Sequence, residues 1–177
     1  MKTKEQIDKD FIEAFGEEQF HIQEALNKLE PLSKLVSEFL EVPQVPIVVE
    51  PIVEDSRMYF QDEFIVLRKD VALNELEAKK AVCHEYRHFY QFLCIKNAKY
   101  EEPLLEYYLE GFQYMIEHGN KNDGTEDYYS LIIEIDAFAF QRYFLKEVLG
   151  IETHYPNEEY DKLLDKFLNK FYYNTLI

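Results

Sequence analysis

Five consecutive residues, His84-Glu85-Tyr86-Arg87-His88, carry the pattern H-E-x-x-H. They lie in a stretch from Asn74 to Ile95 that contains neither Gly nor Pro and is rich in helix formers, which predicts a helix. On a helix, positions i and i+4 stand about 40° apart round the axis and one turn apart in height, so two imidazoles there reach one ion together. Histidine nitrogens bind zinc at about 2.0–2.1 Å, and a catalytic zinc site takes three protein ligands and keeps its fourth position for water. Glu85 stands about 100° round the helix from His84, where its carboxylate flanks the ion without binding it and can act as a general base on that water. The spacing therefore predicts His84 and His88 as metal ligands and Glu85 as the catalytic base.

A third ligand has to come from elsewhere in the chain. Glu134-Ile135-Asp136 begins 46 positions after His88, inside a segment from Leu131 to Leu149 whose apolar side chains run almost all the way round a helical wheel. Such a helix is expected to be buried, and a buried carboxylate needs a partner: a metal ion, or a cation such as Arg87. Glu134 and Asp136 stand about 200° apart on the wheel, so only one of them can face a given ion.

At these residues the chain resembles the zincin metallopeptidases, in particular the glutamate-liganded type, in which a second helix supplies a Glu as third zinc ligand. Small ImmA/IrrE-type metallopeptidases are similar, with a pattern of the kind E-x-x-A-x-x-F on that helix. Glu134, Ala137 and Phe140 match this spacing. The resemblance implies Glu134, rather than Asp136, as the third ligand beside His84 and His88. It also implies one Zn²⁺ per chain, hydrolysis of a peptide or protein substrate, and a minimal zincin-like fold with a small sheet packed on the H-E-x-x-H helix. In zincins an edge strand ahead of the active helix commonly lines the cleft and pairs with substrate, and Phe64-Ile65-Val66-Leu67 resembles that strand. The chain departs from the common pattern at Arg87, where a Gly often precedes the second histidine, and at Phe138, where some zincins carry an Asp.

The elements that must hold these residues can be read from periodicity. Residues 4 to 40 are helical in pattern, with a break at Gly16 and a bend or new start at Pro31. Between residues 43 and 68 β-branched and aromatic residues cluster, and Pro43, Pro46 and Pro51 forbid a continuous helix, so short strands are expected near 45–53, 57–60 and 64–68. The prolines push the first of these to a sheet edge or a bulge. Further helices are expected over 74–95, 103–118, 128–149 and 157–173, with the polar segment GNKNDGTED as a surface loop. The reading is one domain, residues 1–177, predominantly helical α+β with a sheet of two or three strands.

Several side chains near the motif carry weaker signals. Gln91 lies one turn beyond His88 on the same face, where it can hydrogen-bond a ligand. Arg87 is suited to pair with Asp136 or a substrate carboxylate. Cys83 and Cys94 lie about 80–100° from the histidines and read as small core residues. His21, His118 and His154 have no spacing relation to the motif, and the donor that steadies an oxyanion is not marked in the sequence.

Composition narrows the partners. Against 19 Lys and Arg stand 35 Asp and Glu, a formal charge of −16, which argues against a phosphate-binding nucleic-acid protein or electrostatic docking on anionic lipid. The 2 cysteines are eleven positions apart on one predicted helix, about 16 Å along its axis, too far for a disulfide. The opening MKTKEQIDKD has no apolar signal-peptide core and no stretch approaches the length of an apolar membrane span, so a reduced, cytoplasmic setting is expected. The expected function is a zinc-dependent peptidase; the alternative is a zinc-binding regulatory or interaction protein on the same scaffold without turnover.

Overall fold

The computed structural model describes residues 2–51, 53–118 and 131–173. The loop expected over Gly119–Asp127 and the first turn of the helix expected from Tyr128 lie outside the described residues. The chain divides into two compact units, Met1–Val82 and Cys83–Ile177.

In the first unit, α1 (Lys4–Phe15) and α2 (Glu17–Leu40) are separated where the pattern breaks. Gly16 has φ +90°, a conformation that L side chains rarely adopt, and its N–H closes α1 on the Ile12 carbonyl at 2.8 Å. Pro31, expected to bend or restart the helix, lies inside α2, which runs through it. Pro31 is exposed, so the carbonyl that loses its backbone donor there can turn to water. The buried face of α2 is Leu29, Leu32, Val36 and Leu40, at helical spacing.

The three strands are β1 (Ile47–Glu50), β2 (Arg57–Tyr59) and β3 (Phe64–Arg68), in the order β1-β3-β2. β1 runs parallel to β3, with Ile47 opposite Ile65, and β2 runs antiparallel, with Met58 opposite the same Ile65. The strand flanked by prolines is therefore at an edge, as its composition predicts. The edge-strand expectation for Phe64–Leu67 is corrected: β3 is central, and Ile65 and Val66 are paired on both sides. The reason is visible in burial, since Ile65, Val66 and Leu67 are all buried, a continuous apolar run rather than the alternation of a half-exposed strand. The short helix α3 (Lys69–Ala72) follows β3 directly and packs against β1, β3 and α2.

α4 (Glu75–Lys96) carries the H-E-x-x-H segment, and its first turn is capped by the Asn74 side chain, which accepts from the Glu77 N–H at 3.2 Å. The second unit contains α4 from Cys83 onward, α5 (Leu105–His118), α6 (Ile132–Glu147), α7 (Glu158–Leu168) and a π-helical turn, Asn169–Tyr173. Its core joins Cys94, Leu104, Leu105, Tyr108, Ile135, Ala139, Leu164, Phe167 and Leu168, so α4, α5, α6 and α7 share one apolar centre. Asn157 caps α7 by accepting from the backbone N–H groups of Glu159 and Tyr160 at 2.9 and 3.0 Å. The described residues are thus predominantly helical with a small three-stranded mixed sheet, the α+β class expected, and none of their helices is long and apolar enough to cross a membrane.

α5 and α6 approach closely at one point. A Cβ added to Gly111 would stand 1.8 Å from Cγ2 of Ile133, a wholly buried side chain on α6. Gly111→Ala should therefore destabilise the protein by about 1–3 kcal/mol, despite the better helix propensity of Ala. Urea melts check this, and adding Ile133→Ala should make the Gly111→Ala step less harmful. An additive pair would show that the two helices do not meet there.

Candidate metal centre

The H-E-x-x-H residues are buried by the way α4 distributes its faces. Val82, Cys83, Tyr86 and Phe89 are fully buried, while His84 and His88 retain 9% and 7% exposure on an adjacent strip of the helix. Their imidazole Nε2 atoms lie 3.0 Å apart with the rings near perpendicular, at 85°. Glu134, in the first turn of α6, is 1% exposed and presents one oxygen to each ring: Oε2 is 3.4 Å from His84 Nε2 and Oε1 is 3.3 Å from His88 Nε2. Among the described residues, His84, His88 and Glu134 are the group of His, Cys, Asp and Glu side chains placed to hold a metal ion, one ligand atom from each lying within 4.8 Å of the others.

The donor set fits a transition metal. Ligands about 2.0–2.1 Å from a tetrahedral ion are about 3.3 Å from one another. The two Nε2 atoms stand 3.0 Å apart, near that edge, and each ring has a different Glu134 oxygen at 3.3 or 3.4 Å, so one oxygen and the two nitrogens lie within 4.8 Å of one another. Two imidazoles and one carboxylate, all buried, are a donor set able to hold one metal ion.

The same three side chains are coupled electrostatically. Burial alone would lower the His88 pKa, but the Glu134 carboxylate, the hydrogen bond to it, the Glu85 charge and the Gln91 amide together raise it to about 9. Burial likewise opposes ionisation of Glu134, yet the two imidazoles hold its carboxyl well below the usual range. The cluster thus favours an ionised carboxylate with positive charge beside it. Glu85 is 7% exposed and close enough for its charge to act on His88.

The second carboxylate of α6 turns away, as the wheel requires. Asp136 is fully buried and takes a two-pronged contact from Arg87, Nε to Oδ2 at 2.8 Å and Nη2 to Oδ1 at 3.1 Å. Gln91 Nε2 donates to Oδ2 at 2.8 Å, Tyr108 Oη to Oδ2 at 2.9 Å and Tyr172 Oη to Oδ1 at 2.7 Å. Five donors therefore converge on one buried carboxylate, and burial, which alone would raise its pKa, is outweighed by Arg87 and these bonds. The guanidinium is also stacked over the Tyr90 ring, 4.4 Å from its centroid.

Gln91, completely buried, contacts His88 through Oε1, 2.8 Å from Nδ1. Phe138 packs its ring 4.3 Å from that of His84. His84 Nδ1 is buried and has no hydrogen-bond partner among the described residues. Cys83 and Cys94 are free and buried in the core. His21 lies edge-on to Phe20 and 3.9 Å from Glu17 and Glu24, and His154 pairs with Asp161; neither joins the metal-capable group. The His118 side chain lies outside the described residues. Sequence reasoning did not single out Tyr108 or Tyr172, since among 14 tyrosines nothing in their spacing marks them.

No family model matches the chain, and neither the curated proteins nor the solved structures compared with it include a match.

Proposed function

We propose that this protein is a zinc-dependent peptidase of zincin type, with His84, His88 and Glu134 holding one Zn²⁺ and Glu85 as general base. The observation that carries the reading is the meeting of both H-E-x-x-H imidazoles with a buried carboxylate 46 residues further on, one ligand atom from each lying within 4.8 Å of the others. The metal, when bound, supplies a Lewis acid for the scissile carbonyl and lowers the pKa of water towards about 7. Glu85, next to the first ligand and nearly buried, takes the proton from the attacking water and delivers it to the leaving amine. The low exposure of His84, His88 and Glu134 keeps bulk water from competing and strengthens each electrostatic contact. Two buried thiols suit a reducing compartment, which is the cytoplasm in this reading. The formal charge of −16 makes a peptide or protein substrate more apt than nucleic acid.

The decisive experiment is metal content. Elemental analysis of the purified protein should find about one zinc per chain, lost on replacing His84 or His88 by Ala. Full zinc in both variants would end the assignment.

A further inference from the structure

The Gln91 amide is oriented by its partners. Its Nε2 lies 2.9 Å from the Ile133 carbonyl oxygen and 2.8 Å from Asp136 Oδ2. Both of these groups only accept, so the NH₂ must face them and the amide oxygen must face His88. Oε1 is itself an acceptor, 2.8 Å from His88 Nδ1, so Nδ1 carries the hydrogen. In a neutral imidazole that leaves the lone pair on Nε2, the atom that faces His84 and Glu134.

We infer that Gln91 and Asp136 are positioning residues for the metal centre: Asp136 fixes the Gln91 amide, and Gln91 fixes the tautomer and ring orientation of His88. The inference rests on the metal reading of His84, His88 and Glu134. It extends that reading to a chain of contacts reaching the C-terminal turn, because Asp136 is held by Arg87 from α4, Tyr108 from α5 and Tyr172 from the π-helical turn. Were the amide free to flip, its NH₂ would oppose the Nδ1–H, and the tautomer presenting Nε2 would lose its advantage. The carboxylate of Asp136 prevents this by accepting one amide hydrogen while the Ile133 carbonyl accepts the other. A hydrogen bond of this kind to the far nitrogen of a metal-bound histidine typically contributes 10- to 100-fold in metal affinity.

The test uses zinc-loaded, ¹⁵N-labelled protein and zinc competition with a calibrated chelator. In the wild type, long-range ¹H–¹⁵N spectra should show His88 protonated at Nδ1 and metal-bound at Nε2. Gln91→Leu should weaken zinc binding about 10- to 100-fold with the fold retained by circular dichroism. Asp136→Asn should weaken it in the wild-type background and add nothing in the Gln91→Leu background, since its influence passes through the amide. Zinc bound through Nδ1 of His88 in the wild type overturns the inference whether or not the variants fold. So does a folded Gln91→Leu protein with unchanged zinc affinity, or an Asp136→Asn loss that persists in full in the Gln91→Leu background. In those cases wild-type zinc binding still stands, whereas a wild type that takes up no zinc removes the metal reading itself.

Discussion

Glu85→Gln should leave zinc content and fold intact while peptide hydrolysis falls by about 10²- to 10⁴-fold, the range typical of a lost general base. Gln keeps the shape of Glu and one acceptor oxygen, so it occupies the same space on α4, but it cannot take up the proton of an attacking water. About 100° round the helix from His84 and about 60° from His88, Glu85 flanks the site without being needed to hold an ion. Its charge is nonetheless felt at His88, which places the carboxylate within electrostatic reach of the centre. A peptide library or a cell proteome is the suitable substrate pool, and each cleavage should disappear with the substitution. The same cleavage pattern from wild type and Glu85→Gln would trace the activity to a contaminant or to another base. If both proteins bind zinc, neither cuts, and both retain one partner tightly, the chain is a zinc-binding regulatory protein on this scaffold.

The second large effect separates the two carboxylates of α6. Glu134→Ala removes the group that presents an oxygen to each imidazole, and zinc should be lost at chelator concentrations the wild type survives. Asp136→Ala acts differently. It leaves Arg87, whose side chain is 11% exposed, without its buried counter-charge, a situation that costs about 3–5 kcal/mol. Its main result should be a fall in urea midpoint, with zinc weakened through Gln91 but still bound by the folded protein. Chelator titration and urea melts on the two variants together give the answer. Zinc lost with Asp136→Ala and kept with Glu134→Ala would exchange the two roles.

Much of this was legible before the structure because helices are local. The 3.6-residue period alone places His84 and His88 on one strip of α4, and it alone sets Glu134 and Asp136 on different sides of α6. The need of a buried carboxylate for a partner left a metal ion or a cation such as Arg87 as candidates, and Asp136 meets Arg87 at 2.8 Å. The strands fall near their expected positions, with β1 shortened to Ile47–Glu50 and followed by Pro51 in a turn.

Relations between residues a few positions apart were therefore readable from the chain alone: the paired imidazoles, the flanking position of Glu85, the break at Gly16 and the displacement of a proline-bounded strand towards an edge or bulge. Relations between distant segments came from packing. It brought Glu134 rather than Asp136 to the imidazoles, placed β3 between its neighbours instead of at the edge, carried α2 through Pro31, and drew Tyr108 and Tyr172 onto Asp136. The physical reason is the range of the constraints. Backbone periodicity and capping act over one or two turns and are written in adjacent residues. The partner of a buried charge is chosen by which helices pack together, and that choice is made by the whole apolar core at once.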